Sequence, residues 1–422
     1  MKLEEVELEP DMLSQGMYVC RLDRPWSDSP FLLQGFFVQE ESQLAWVREH
    51  CRSVWIDLER SVVSEDVAPR VPLAARAARP AHETRAPARP AAPTLPATRT
   101  QYTNQVGFLD ELPAARKAHD NALRTAMMTL ADVQAGRNLV ADNVSMAANA
   151  VVDSVLRNAD TLFWVNALQR HGSYAYGHAI NCCALAAAFG RHLGLPAESL
   201  VDLAAGGLLL DIGKTRLPET LLRHTGPLGE GDMAQVREHV AHGVDILAHS
   251  RAGWGPAVVD MLRTHHERWD GSGYPDGLAG HAIPLFGRMA AIIDSFDAMT
   301  SERPHVPAQA RHEALQELYR NRDRLYHGEL VEQFTGCLGV YPTGSLVELN
   351  TGEVAVVMTQ NPTRRLRPLV MLLTNAAKVP LREFRQLDLM TLSPTGGASG
   401  VPSIDRALPV GAYGLDPAEL FL

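Results

Sequence analysis

The chain has 422 residues, 46% of them apolar and 21% charged, and 39 Lys plus Arg against 49 Asp plus Glu give a formal net charge of −10. At about 150 residues per domain, that length predicts two or three domains, each able to bury a core. A net acidic chain has no overall field to gather polyanions, which argues against polymeric nucleic acid as a partner and leaves any anionic ligand to a local cluster. Five cysteines, Cys20, Cys51, Cys182, Cys183 and Cys337, are an odd number without metal or framework spacing and read as reduced thiols. No secretory-type start and no apolar run of roughly 18 residues is present, so membrane insertion is not expected and the chain reads as cytoplasmic.

Residues 1–66 read as a small β-rich regulatory module: Met17–Cys20 and Val54–Leu58 are strand-like, with a short helix beginning at Gln43. Residues 67–105 then scatter seven prolines among alanines and arginines, a composition that fixes φ, removes donors and predicts a solvated tether rather than a basic binding arm. From 106 to 338 the pattern is helical, with a core from 144: Val151, Val152, Val155 and Leu156 recur at helical spacing, as do Leu185, Phe189 and Leu193. Gly194 and Pro196 stop the second of these helices. Residues 339–393 return to strand patterns, with Asn350-Thr351-Gly352 as a hairpin turn, and 394–422, rich in Gly, Ser and Pro, is expected to be poorly ordered.

The helical block concentrates imidazoles and carboxylates. His178 opens an apolar helix, Asp211 and Lys214 follow another, and His239 and the pair His265-His266 lie farther on. Asp294 and Asp297 share a face of a later helix. Each alone has a bland reading as a cap or a satisfied core group. Drawn together from four helices, they suit two divalent metal ions sharing a bridging carboxylate, the arrangement of two-metal phosphoester hydrolysis.

Lys214 after Asp211, then His265-His266-Glu267, then Asp270-Gly271-Ser272-Gly273-Tyr274-Pro275 look like an HD-GYP domain, the branch of the HD phosphohydrolases that hydrolyses cyclic di-GMP. The landmarks run in order from roughly 144 to 340 and include the Arg288 helix, Asp294 and the 300–304 turn. Gly16-Met17-Tyr18-Val19, Arg24-Pro25-Trp26 and Gln34-Gly35-Phe36 resemble the small domain of unknown function that often precedes such domains. The resemblance implies a mainly α protein, in which an HD-type all-helical catalytic bundle is flanked by the N-terminal α+β module and the C-terminal β extension.

Carried over residue by residue, the resemblance gives His178, Asp211 and Asp294 to a first metal, while Asp211, His239, His265 and His266 hold a second. The family's histidine before the conserved aspartate is Leu210 here, so the first site is one ligand short. Tyr174 stands where some members carry an acidic residue, so no third ion is expected. Iron and manganese are the expected metals. Asp211 and Lys214 are the catalytic candidates; Lys214 would reach a phosphate, or only cap its helix. Asp270, Gly271, Gly273, Tyr274 and Pro275 would form the substrate-side loop, and Arg288 would contact phosphate or guanine, or simply lie on the helix surface. Cyclic di-GMP is the implied ligand, and the partners implied are a diguanylate cyclase or another signalling protein, with a homodimer left open. The leading reading is a phosphodiesterase releasing linear dinucleotide or GMP, weakened at Leu210. Its competitor is an inactive module that signals by binding.

Overall fold

The structure, a computed structural model, describes residues 5–23, 36–38, 41–57, 100–168, 174–224, 226, 228–250, 253–302, 308–361, 364–391 and 401–420. Residues 67–99 of the expected tether, Arg24-Pro25-Trp26, Gln34-Gly35, Arg303-Pro304 and the stretch 394–400 lie outside the described residues. Two compact units result, Met1–Ala91 and Ala92–Leu422. Among the described residues no helix is long and apolar enough to cross a membrane.

In the first unit, β1 (Glu5–Leu8), β2 (Tyr18–Leu22), β3 (Phe36–Phe37) and β4 (Val54–Asp57) form an antiparallel sheet in the order β1-β4-β2-β3. Helix α1 (Glu41–His50) lies between β3 and β4 in sequence. Val19, Val54 and Ile56 are fully buried from the sheet, and Leu44 and Val47 from the helix. Alternation along β4 sends Val54 and Ile56 to one face, which is why two apolar positions suffice to fix its register.

The second unit begins with α2 (Phe108–Gln134), α3 (Ala141–Arg157), α4 (Ala159–Leu168), α5 (Tyr174–His192) and α6 (Ala197–Leu209). A 3-10 turn, Ile212–Arg216, leads to α7 (Glu219–Leu222), α8 (Glu230–Arg237), α9 (His239–Ala248) and α10 (Pro256–Thr264). Helices α11 (Leu285–Thr300), α12 (Arg311–Arg320) and α13 (Gly328–Leu338) complete the block. Val144, Ala148, Val151 and Val155 bury one stripe of α3, as their spacing predicts. A buried carboxylate joins α2 to α3: Glu111 accepts hydrogen bonds from Ser154 Oγ at 2.8 Å and from Arg157 Nε at 2.6 Å. Gly213 has no Cβ because none would fit. One built there would overlap the carbonyl of His239, so glycine sets the turn carrying Asp211 directly against α9.

Two expectations are corrected at the edges of this unit. Residues 100–105, assigned to the tether, are tied to the helical block. Thr100 N donates to Gly194 O at 2.9 Å, and Tyr102 Oη donates to Leu195 O at 2.9 Å. These carbonyls belong to the loop between α5 and α6, and the incoming chain supplies donors for them. The tail from 394 is not uniformly irregular either. It provides β9 (Ile404–Leu408) and the short helix α14 (Pro417–Leu420). Strands β5 (Leu346–Leu349), β6 (Val354–Thr359), β7 (Leu369–Thr374), β8 (Pro380–Asp388) and β9 form a second antiparallel sheet, ordered β8-β7-β6-β5-β9. Arg406 of β9 pairs with Glu348 of β5 at 2.6 Å, anchoring a strand whose own apolar signal is weak.

Strand β6 is buried on both faces, which explains its unbroken Val-Ala-Val-Val-Met run. Val354, Val356 and Met358 pack with Trp164 and Leu168 of α4, while Ala355 and Val357 join Val347, Val370 and Leu389 on the opposite face. A polar link accompanies the first contact. Asp160 accepts hydrogen bonds from Thr343 Oγ1 at 3.1 Å and Gln360 N at 3.2 Å.

Candidate metal centre

Five elements converge to build the site. Helix α5 brings His178, the turn after α6 brings Asp211 and Lys214, and α9 opens on His239. The end of α10 delivers His265 and His266, and α11 carries Asp294 and Asp297. His178, His239 and His265 are almost fully buried, at 2%, 1% and 0% exposure, so each needs a polar partner.

The partners of His239 and His265 are divided between the two ring nitrogens. His239 Nδ1 donates to Val236 O at 2.7 Å and His265 Nδ1 donates to Leu262 O at 2.9 Å. Both Nε2 atoms are thereby left as lone pairs, and they face each other at 3.4 Å. Asp211 Oδ1 stands 3.5 Å from His239 Nε2 and is buried with no hydrogen-bond donor of its own. Donor atoms of Asp211, His239, His265 and His266 all lie within 4.8 Å of one another. Facing lone pairs beside an unpartnered carboxylate oxygen repel unless a cation lies between them, so this donor set fits a divalent metal. Burial also keeps the imidazoles neutral, as ligation requires. It lowers His265, brings His239 down to about 4, and, with His265 beside it, puts His266 well below its ordinary value.

The other half of the centre is different. His178 Nδ1 donates to Asp297 Oδ2 at 2.7 Å, and Asn181 Nδ2 donates to the other oxygen of that carboxylate at 2.8 Å. His178 Nε2 points between Asp294 Oδ1 at 3.3 Å and Asp211 Oδ2 at 3.5 Å. Burial opposes a charge on this ring, but Cys182, Asp294 and Asp297 around it outweigh the burial and hold it well above its usual range. Asp211 and Asp294 behave in the opposite sense. Burial would raise both, yet Lys214 and His178 keep Asp211 ionised, and His178 and His266 do the same for Asp294. Lys214 Nζ donates to Asp211 Oδ2 at 2.6 Å. Leu210, 2% exposed, is part of the apolar core and offers no lone pair. Tyr174 stacks on His178 with ring centres 5.4 Å apart, and burial pushes its phenol up to about 12, so position 174 contributes no anion.

Beside His266, the Gly-Tyr-Pro loop is fastened by two devices. Tyr274 stacks on the His266 ring at 4.6 Å, and its N–H donates to His266 O at 3.2 Å. Glu267, 1% exposed, accepts the amides of Asp276 at 2.8 Å and Leu278 at 2.9 Å. Gly273 passes so close to the backbone of His266 and Glu267 that a side chain there would displace the loop. Asp270 shapes the turn by accepting Ser272 N at 2.9 Å, and Gly271 takes a φ of +82°. Pro275 follows a cis peptide bond. The guanidinium of Arg237 lies 5.0 Å over the Tyr274 ring.

The fold therefore gathers His178, Asp211, Lys214, His239, His265, His266, Asp294 and Tyr274 around one centre. Arg288 is placed elsewhere, with Nη1 3.3 Å from His281 Nδ1 and its guanidinium 5.9 Å over Trp269. Sequence reasoning placed Asp297 beside Asp294 but gave it no role, and it passed over Asn181 and Arg237. Asp297 alone carried a signal, as the second carboxylate one turn beyond Asp294 on an apolar helix.

Comparisons with known proteins point to one family. Residues 159–330 match the family model described as HD domain. Residues 6–144 match a domain of unknown function (DUF3391), and 346–394 match a KOW domain associated with HD domain. The cyclic di-GMP phosphodiesterase PA4108 of Pseudomonas aeruginosa is 31% identical over 372 residues, covering 87% of this chain and 85% of that protein. The cyclic di-GMP phosphodiesterase response regulator RpfG of Xanthomonas campestris pv. campestris is 38% identical over 142 residues, 34% of this chain and 38% of its own length. A 3'3'-cGAMP-specific phosphodiesterase 2 of Vibrio cholerae is 35% identical over 162 residues, 38% of this chain and 30% of that one.

Proposed function

Because this chain belongs to the HD-GYP family of HD-domain cyclic di-GMP phosphodiesterases, we propose that it is itself a metal-dependent phosphodiesterase acting on cyclic di-GMP. The observation that carries this reading is the set of facing lone pairs on His239 and His265 beside the unpartnered Oδ1 of Asp211. His266 completes the donors. Three imidazoles and a carboxylate suit iron or manganese, and the bound ion supplies Lewis-acid polarisation of the phosphodiester. The position built from His178, Asp211 and Asp294 is the weaker one, since Leu210 gives it nothing.

The chain's own groups do the rest. Lys214 is about one-third exposed while bound to Asp211, so its remaining N–H bonds can reach a nonbridging phosphate oxygen. Tyr274 is held flat by His266 and carries the Arg237 guanidinium over its ring, so a guanine stacks there only with Arg237 drawn aside, and Gly271, Gly273 and Pro275 set the height of the ring. Burial of His178 and His265 keeps bulk water from the deep side of the centre.

Holoprotein incubated with cyclic di-GMP should release linear dinucleotide or GMP, followed by chromatography, and the His265→Ala, His266→Ala double variant should release neither. Leu210 favours one alternative, a module that binds cyclic di-GMP and passes the signal by contact. Tight binding without turnover by metal-replete protein would select that alternative.

A further inference from the structure

We propose that the ammonium of Lys214 occupies the first-metal position, so that this chain works with one metal ion and one fixed organic cation. The inference deepens the functional reading and rests on it, since it takes the Asp211, His239, His265, His266 set to be the metal-holding one. The two oxygens of Asp211 divide the centre. Oδ1 faces His239 Nε2 at 3.5 Å, on the side of the facing lone pairs. Oδ2 faces the other way, 2.6 Å from Lys214 Nζ and 3.5 Å from His178 Nε2. A carboxylate that would bridge two metals in a complete centre thus bridges toward a metal site on one side and an ammonium on the other.

Two features favour the ammonium over an ion there. Leu210 removes one imidazole, leaving three protein donors for a metal, His178, Asp211 and Asp294. Lys214 is tethered three residues from Asp211, and a short tether gives an effective concentration of about millimolar or more, a level an ion must outcompete with an incomplete donor set. An ammonium neutralises phosphoryl charge as a point cation, although it does not act as a Lewis acid.

The test is metal content, which does not depend on turnover. Full-length protein loaded with excess Mn2+ and desalted without air should hold about one manganese per chain, with the electron paramagnetic resonance signal of an isolated ion. Lys214→Met, checked for folding by circular dichroism, vacates the position and should hold more manganese than the parent at the same excess. A parent with two manganese ions and an exchange-coupled spectrum overturns the inference, as does a folded Lys214→Met variant with unchanged content. A parent that keeps no manganese overturns the metal reading beneath it, an outcome separate from either. Failure to hydrolyse cyclic di-GMP with one manganese bound would remove the functional reading and leave the one-ion centre standing.

Discussion

The two halves of the centre share Asp211 and little else. On the His239 side, every imidazole spends one nitrogen on the backbone or leaves it beside the site, so lone pairs meet at 3.4 Å with no proton between them. On the His178 side, Asp211 Oδ2 and both oxygens of Asp297 already have donors, from Lys214, His178 and Asn181. The first half is chemically unfinished and the second is closed. Whether a cluster of metal-type residues holds an ion thus depends less on its count of histidines than on which atoms remain without partners.

The comparison breaks most sharply at the open half. His265→Ala with His266→Ala should remove the bound metal and lower turnover more than about a hundredfold, because outer-shell changes alone cost 10–100-fold. Elemental analysis showing equal metal in parent and variant would place the ion elsewhere. The closed half is tested by Leu210→His, which restores an imidazole beside Asp211. It should add a second ion, displace Lys214 outward and raise turnover about tenfold, which needs only about 1.4 kcal/mol of extra transition-state stabilisation. A variant that melts lower, gains no metal and stays no more active would show that the pocket has been rebuilt around leucine. In that restored background, Asp297→Asn loosens the aim of His178 and should weaken the second ion about tenfold, the low end for an outer-shell partner. In the parent the same change should leave metal content as it was.

The smallest effect lies outside both halves. Burial pushes Asp160 up to about 6, against the hydrogen bonds from Gln360 and Thr343, compared with 3.8 in the unfolded chain. The folded state therefore holds the extra proton between these values, and this carboxylate's contribution to stability falls as pH rises from about 4 to about 6. Asp160→Asn lacks that loss. Its melting temperature relative to the parent should climb by a few degrees over the same interval. A difference that stays flat with pH would refute the assignment.

What was legible in the sequence follows from range. His265, His266 and the Gly-Tyr-Pro loop are local signals, because adjacent residues at a helix end must lie near one another. The helical block and β6 announce themselves through continuous apolar patterns. The pairing of His178 with Asp297 spans 119 residues, and no pattern in either helix specifies it. Arg288 follows the same rule. Its contacts, His281 and Trp269, come from the loop that folds back over α11, so its neighbours appear only once that loop is in place. β9 was hidden for another reason, since Ile404–Leu408 follows a Gly- and Ser-rich run and owes its register to Glu348 on the neighbouring strand and to Asn350 in the turn just after it.

The facing lone pairs of His239 and His265 also bear on how long the folded chain survives. A site that binds an ion only when folded draws the folding equilibrium with it, by about 4.1 kcal/mol at a metal concentration a thousand times the dissociation constant. Metal supply would then set the lifetime of the protein as well as its rate. A cell short of metal would hold fewer intact copies, because the empty chain unfolds more often and is exposed to proteolysis each time. The same two nitrogens that make the centre reactive would act as a gauge of metal sufficiency, read out through abundance.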